Sequence, residues 1–404
     1  MNIIYIAYSC NPYNGTEDKL GWYIPYYAAK QDNVVIITKE ESRQSIEKFL
    51  REKNNKNIEV YYVDVPSLYK KIFSGGLYSG RLNVWNKYAL LKVNEIVKEE
   101  KIDIIHQINP VEFRSIGAYG KFKDIPYVCG PVGGGEYIPK KVKKYIKNGW
   151  IFENIRYIAN LYYKIKYKFN GRIKECDVLL FANSETRDYL IPKSERIKYP
   201  VMTELGSIKQ REKTFQKNNL FTILSGGRLI YRKGFDLLLD AIENIPDDYK
   251  FKLKLVGNGK MFWHLKKRVE NSKKLYNRVE MLGKIPHTDM GELYQSSDLF
   301  IMPSLRETTG SVILESLENG LPVVTVNRFG GKVILDEKCG ILYDWDSDIS
   351  PDKIVANVII KCLDNRKMLE DMREECLKKA STFSFKEKIK IYQGIYNELL
   401  NKNR

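Results

Sequence analysis

Two short stretches in the second half of the chain concentrate groups that could bind and polarise an anionic ligand. In the first, the apolar run Thr222–Ser225 leads into Gly226-Gly227-Arg228-Leu-Ile-Tyr-Arg-Lys233-Gly234. Glycines after a strand let backbone approach an anion closely, and a fixed Arg and Lys supply charge, the first as a bidentate fork and the second as a point charge. These residues alone are equally compatible with a solvated basic turn. The second stretch, Pro303-Ser-Leu-Arg-Glu307-Thr-Thr-Gly310-Ser-Val-Ile-Leu-Glu315, follows the apolar run Leu299–Met302 and opens a helical pattern near Ser311. Thr309, Gly310 and Ser311 would place unpaired N–H groups at a helix N-terminus, a ready anion site. Glu307 falls in the loop and Glu315 more than a turn into the helix, so the two carboxylates would face different parts of an elongated ligand. Their plainer roles would be a helix-dipole partner for Glu307 and an exposed helix carboxylate for Glu315.

These stretches need a scaffold that ends strands and starts helices on one edge. Both halves alternate short apolar strands with helical patterns, which argues for parallel sheets covered by helices. In the first half the expected strands are Ile3–Ala7, Val34–Thr38, Ile58–Val63, Ile102–His106, Pro126–Cys129 and Val178–Ala182. In the second they are Thr222–Ser225, Lys252–Val256, Val279–Leu282, Leu299–Met302, Val323–Val326 and Gly340–Tyr343, with helices such as Leu237–Asn244 and Ser311–Asn319 between them. The latter stops at Gly320, with Pro322 close behind. Around Pro200–Leu220 the pattern lapses into a polar stretch. The expected division is therefore an N-terminal Rossmann-like domain over 1–200, a C-terminal one over 201–384, and a helix over 385–404 crossing back to the first.

A chain of 404 residues suits two domains, and 43% hydrophobic with 29% charged residues excludes disordered and fibrous classes. No apolar run approaches the roughly 20 residues that span a bilayer. The opening residues lack a basic region and a small-residue cleavage site, so they read as a buried strand and the protein as cytoplasmic. Six cysteines without a C-x-x-C pair form neither a disulfide framework nor a zinc site. The formal charge is +17, which favours polyanions or phosphate-bearing ligands.

Taken in order, Arg228 with Lys233 and then the Glu-x7-Glu of Glu307 and Glu315 resemble the retaining GT-B glycosyltransferases of family 4. Intervening residues fit the same pattern: Leu253-Lys-Leu-Val-Gly257-Asn-Gly259, Gly283-Lys-Ile-Pro-His287-Thr-Asp-Met, Tyr294-Gln-Ser-Ser-Asp298-Leu-Phe and Glu318-Asn-Gly320-Leu-Pro322-Val-Val. The resemblance spans about Thr222–Tyr343. It implies an α/β fold of two Rossmann-like domains with parallel sheets facing across a cleft, and transfer of a sugar from a nucleotide-diphosphate donor. Arg228 and Lys233, beside Gly227, would hold the diphosphate, and the Thr309–Ser311 amides would support it. Glu315 would accept from ribose hydroxyls, Glu307 would face the donor sugar, and backbone at Gly257 and from Gly283 to Ile285 would lie near the nucleotide.

In the first half, Asn11-Pro-Tyr-Asn-Gly15-Thr16 follows the first strand. In similar enzymes a glycine loop here closes on the donor phosphates, so Gly15 and Thr16 are candidates, although Asn14-Gly15 would also make a plain turn. Gly130-Pro-Val-Gly133-Gly134-Gly135-Glu136 resembles a loop that lines the acceptor or sugar side in part of the family. Many relatives place a histidine at this strand's end to touch the sugar, where this chain has Gly130-Pro131. His106 could substitute, or could be structural.

Departure of a diphosphate builds negative charge, which Arg228, Lys233 and loop amides would stabilise without a cofactor or an obligatory metal. The resemblance implies retention by front-face attack, with the leaving phosphate accepting the acceptor's proton. Asp344-Trp-Asp346-Ser-Asp348 has the spacing of metal-dependent transferases of another fold, but it follows the final strand and reads as an acidic surface loop.

From Lys140 to Lys174 there are eleven Lys/Arg against Glu153 alone, 11 − 1 = +10. Within this stretch Ile146, Trp150, Ile151, Ile155, Ile158, Tyr162, Ile165 and Phe169 recur at helical spacing. Such a helix could lie on an anionic membrane at the inner face of the cell, or pack its stripe on its own sheet with the lysines solvated. In the first case the acceptor would be a lipid-linked saccharide, otherwise any saccharide. What the resemblance implies is a retaining, hexosyltransferase-type enzyme of bacterial surface-polysaccharide or glycoconjugate synthesis, with a UDP-sugar favoured and a GDP-sugar as the other option. An inactive relative that binds sugar nucleotides or partners would lack the Arg, the Lys and both Glu. A nucleic-acid-binding protein lacks a supporting motif here, and a dehydrogenase or epimerase lacks the G-x-G-x-x-G after the first strand.

Overall fold

The computed structural model describes residues 1–53, 57–73, 78–207, 219–286, 288–345 and 348–402. Among these residues, twelve strands form two separate six-stranded sheets. The first contains β1 Asn2–Ala7, β2 Asn33–Thr38, β3 Ile58–Tyr62, β4 Ile104–Asn109, β5 Tyr127–Val132 and β6 Val178–Phe181. The second contains β7 Phe221–Gly226, β8 Phe251–Val256, β9 Val279–Gly283, β10 Leu299–Met302, β11 Val323–Val326 and β12 Gly340–Tyr343. All pairings are parallel. Strands covered on both faces read as continuous apolar runs, which is why β1, β4, β7 and β10 are almost wholly buried.

The strand orders are β3-β2-β1-β4-β5-β6 and β12-β11-β10-β7-β8-β9. Each is the doubly wound Rossmann order, so the direction of winding reverses between β1 and β4 in one sheet and between β7 and β10 in the other. The strand–helix alternation predicts parallel sheets covered by helices, and the resemblance predicts two Rossmann-like domains; both are found. Successive side chains of β1 point to opposite faces: Ile4 and Ile6 join a core with Trp85 and Tyr119, while Ile3 and Tyr5 join one with Trp22 and Tyr392. The second sheet shares one core running from Phe221 to Leu369.

By contact density the first compact unit comprises Met1–Gly135, Arg156–Ile208 and Phe383–Arg404, and the second Glu136–Ile155 and Lys209–Thr382. The expected division kept all of 1–200 together, whereas Glu136–Ile155 groups with the second unit. The reason is packing: Ile138, Val142, Tyr145 and Ile146 are buried in that unit's core. Polar contacts reinforce it, with Lys147 paired to Asp236 at 2.7 Å and the Tyr145 hydroxyl donating to Asp352 at 3.2 Å. Much of the expected boundary around Pro200–Leu220 lies outside the described residues.

The continuous amphipathic helix expected from Ile146 to Phe169 is interrupted. A run of 3₁₀ turns covers Lys140–Gly149, Lys147 breaks it with φ 48° and ψ −128°, and a regular helix covers Trp150–Asn170. Ile146 is buried, but Trp150, Ile151, Ile155, Ile158, Tyr162, Ile165 and Phe169 are all exposed, which excludes packing of that stripe on the chain's own sheet. Among the described residues no helix is long and apolar enough to cross a membrane.

Candidate functional site

In the second unit the basic loop leaves β7 and the acidic loop leaves β10, the adjacent strands at the winding reversal. Splayed crossovers on either side open a crevice beyond the carboxyl ends of such strands, and both loops fall there for that reason. Backbone bonds join them: the Leu305 and Arg306 amides donate to the Arg232 carbonyl at 2.8 and 3.3 Å. Side chains join them again. The Lys233 ammonium pairs with the Glu307 carboxylate inside the protein, and Arg232 Nη1 reaches the other Glu307 oxygen at 3.3 Å. Burial works to raise the Glu307 pKa, but Lys233 and Arg232 override it and hold the carboxyl down at about 2. Glu307 is therefore an anion at any working pH.

Arg228 differs from Lys233. It is exposed, and its guanidinium makes no hydrogen bond or ion pair with the described residues. The neighbouring shelf is backbone. Gly227, Gly257 and Gly283 end or follow β7, β8 and β9, all with positive φ. The Gly257 amide donates to the Gly283 carbonyl at 2.7 Å, and a Cβ on Gly257 would sit 1.9 Å from the Gly227 carbonyl oxygen. No side chain fits there, so the strand ends present peptide groups.

Gly310, with φ 74° and ψ 74°, turns the chain into the helix Ser311–Glu318; the Ile313 amide donates to the Gly310 carbonyl at 2.9 Å, while the Ser311 and Val312 amides precede the helix's own bonding. Thr309 is buried and Ser311 half-buried at that end. Glu315, further along, is half-buried and accepts from the Tyr294 hydroxyl at 3.2 Å. Ile285 lines a surface hollow with Leu282, Pro286 and Asp289. His287 lies outside the described residues, as does Asp346. Of that acidic trio, Asp344 is exposed and accepts from Asn327 at 3.2 Å. Among the described residues no three His, Cys, Asp or Glu side chains are grouped as a metal would require.

Several contributors were not read from the sequence. Glu153, at the start of the helix Trp150–Asn170, accepts from Arg306 Nε at 3.1 Å and Nη2 at 2.8 Å, and from the Tyr231 hydroxyl at 2.7 Å. One carboxylate thus ties the basic loop to the acidic one. Phe329, with φ 58°, precedes Gly330, where a Cβ would lie 1.8 Å from the Thr309 carbonyl oxygen. The paired glycines Gly330-Gly331 after β11 were the available signal. Glu136, already a candidate for the acceptor or sugar side, is buried in this unit, and its charge acts on Arg306.

The first unit carries the remaining candidates. Gly15 is the residue before the helix Thr16–Ala28, with φ −57°, and a Cβ placed on it would meet no atom within 4 Å, so nothing in the backbone demands glycine. Thr16 begins that helix, and Glu17 and Asp18 follow in its first turn, with burial raising the Glu17 pKa. The Gly133 carbonyl accepts from the Phe113 amide at 2.9 Å, and the Gly134 carbonyl from Arg156 and from Asn160 at 2.9 Å. That glycine loop is therefore held from behind by the helix Trp150–Asn170. His106 does not serve a ligand. It is fully buried, with Nδ1 at 2.6 Å from the Tyr396 hydroxyl and Nε2 at 3.0 Å from the Gly130 carbonyl. Burial lowers its pKa to about 4, so the ring is neutral. The sequence offered a structural role for this histidine as one option, and the packing realises it.

Residues 207–379 match the sequence profile of the family described as glycosyl transferases group 1. That stretch carries the second sheet and both loops. The uncharacterized glycosyltransferase MJ1178 of Methanocaldococcus jannaschii is 23% identical over 318 residues, covering 78% of this chain and 80% of that protein. The alpha-monoglucosyldiacylglycerol synthase of Streptococcus pneumoniae is 29% identical over 202 residues, 46% of each chain. Among solved structures, Alr3699/HepE of Anabaena in complex with UDP superposes with a TM-score of 0.60 at 16% identity, over 99% of both chains. At that identity the likeness speaks for the fold.

Proposed function

We propose that the protein transfers a sugar from a nucleotide diphosphate, a UDP-sugar in preference to a GDP-sugar, to a saccharide or lipid-linked saccharide, with retention at the anomeric carbon. The observation that carries this is the division of labour at the β7–β10 crevice. Among the described residues Arg228 is an uncommitted guanidinium beside a shelf of peptide groups, and Lys233 is a buried ammonium bound to Glu307. Charge that grows on a departing diphosphate meets Arg228, Lys233 and the amides before the helix Ser311–Glu318, all set in place beforehand. Glu315 is positioned to accept from ribose hydroxyls and Glu307 from those of the donor sugar. The leaving phosphate takes the acceptor's proton, so no protein base is required, and these cations and amides do the work of a metal. The complex of a fold relative with UDP supports the choice of base. Surface-polysaccharide or glycoconjugate synthesis in a bacterium is the setting this reading suggests.

The test is a thermal shift with UDP, GDP, ADP, dTDP and CMP, on wild type and Arg228→Ala. Ligand at 100 times its dissociation constant stabilises by about 2.7 kcal/mol. A shift with one diphosphate, lost in the variant, supports the site and identifies the base. No shift with any of them refutes it. Anomeric NMR of the transfer product then decides retention, and transfer that collapses in EDTA would refute the metal-free chemistry.

A further inference from the structure

We infer that the outer face of the helix Trp150–Asn170, in the part belonging to the first unit, docks onto an anionic lipid surface. The helix has two faces of reversed character. Asn160 and Tyr167 turn inward and are buried, the first on the Gly134 carbonyl and the second in the core, and Tyr163 follows them, its hydroxyl accepting from Asn83 at 3.1 Å. The outward face holds Ile158, Leu161, Tyr162, Ile165 and Phe169, with exposures from 41% for Leu161 to 85% for Phe169. These five lie within about a third of the helix circumference, at the i, i+3, i+4, i+7 spacing of a single stripe. A surface helix in water normally turns such a stripe inward, so a contiguous outward stripe marks a contact surface.

Charge decides between occupants. From Arg156 to Lys174 the chain carries Arg156, Lys164, Lys166, Lys168, Arg172 and Lys174 and no acidic residue. A second copy of this chain would bring the same positive charge against itself. An anionic bilayer is complementary to it, with aromatic and aliphatic side chains entering the head-group boundary and lysines reaching phosphates at its edge. Lys166 lies 5.2 Å from the centre of the Tyr163 ring, and burial, then nearby Arg172 and Lys87, lowers its pKa. The helix lies in the plane of the surface and does not cross it. This docking stands apart from the donor chemistry and needs no nucleotide.

The test is co-sedimentation of the full chain with vesicles of phosphatidylcholine alone and of phosphatidylcholine with phosphatidylglycerol. Wild type should bind the anionic vesicles, lose affinity as salt rises, and bind neutral vesicles far less. The double variant Ile158→Ser, Phe169→Ser should bind about tenfold more weakly or worse. Both positions are exposed, so its melting temperature and its nucleotide response should match wild type. Equal binding of wild type and variant, or no binding to anionic vesicles, overturns the proposal. So does a lipid-free dimer, seen by light scattering, that the variant converts to monomer, since the stripe would then be covered by a second copy.

Discussion

Glu153 and Arg306, 153 residues apart in sequence, meet through two guanidinium nitrogens at 3.1 and 2.8 Å, and the residue after Arg306 is the buried Glu307. The carboxylate also holds Tyr231, two residues before Lys233. One carboxylate, distant in sequence from both, thereby ties together the two loops that carry the proposed donor-site charges. Glu153→Gln keeps an acceptor for Tyr231 and removes the charge facing Arg306. It should cost about 2 kcal/mol in urea unfolding and weaken nucleotide-diphosphate binding. Lower stability with unchanged nucleotide affinity would reduce Glu153 to a stabilising contact only.

Arg228 and Lys233 should separate in their effects. The Arg228 side chain holds nothing among the described residues, so Arg228→Ala should leave the melting temperature unchanged and weaken diphosphate binding about 10- to 100-fold. Lys233→Ala leaves the buried Glu307 carboxylate to Arg232 and the Thr308 amide, and should cost about 3 kcal/mol of stability as well as affinity. Calorimetric titration beside thermal melts distinguishes the two. Equal loss of stability in both variants would contradict the geometry.

Acid should weaken the two units in different windows. The folded pKa of Glu307 is about 2 against an ordinary 4.5, so its contribution is complete above 4.5 and is lost as pH falls toward 2. His106 has a folded pKa of about 4 against 6.5, so the unfolded chain takes up its proton first and stability falls between pH 6.5 and 4. His106→Gln should flatten the upper window and Glu307→Gln the lower one, read from urea midpoints across pH. A wild-type profile flat from pH 6.5 to 4 would contradict the burial of His106.

Two glycines make opposite predictions. Gly257→Ala forces a carbon against the Gly227 carbonyl at φ 133° and should cost about 2 kcal/mol or more, with loss of nucleotide binding. Gly15→Ala meets nothing and keeps an ordinary φ. It should be neutral to folding, so any fall in transfer activity reports a ligand approaching that backbone. Activity equal to wild type would remove Gly15 from the donor loop.

Much of this was legible in the chain because parallel strands buried on both faces are spelled as unbroken apolar runs. β10, β11 and β12 match the expected limits residue for residue, and β7 differs by one residue at each end. Order along the chain also revealed the loops after β7 and β10, because glycines and charges directly follow those runs. What local pattern could not convey was partnership over distance. Glu153 read as a lone acid in a basic stretch, since nothing near it names Arg306. The apolar period from Ile146 to Phe169 was visible, but a period records only that residues share a face. It does not say whether that face looks inward, and Lys147 breaks the run in a conformation that no spacing announces.

The passage of the chain between its units has a consequence for how the protein is made. Emerging from the ribosome, the first sheet has all six strands once β6 has been synthesised, yet His106 still lacks the hydroxyl of Tyr396, which comes 290 residues later. Its apolar face waits for Phe385, Ile389 and Tyr392 while the whole second sheet is translated. Conversely, Ile138, Val142 and Tyr145 are exposed early and stay without their core until β7 and β8 appear. The first unit is therefore complete only when the helix from Phe385 has been made, and the nascent chain carries exposed apolar surface until then.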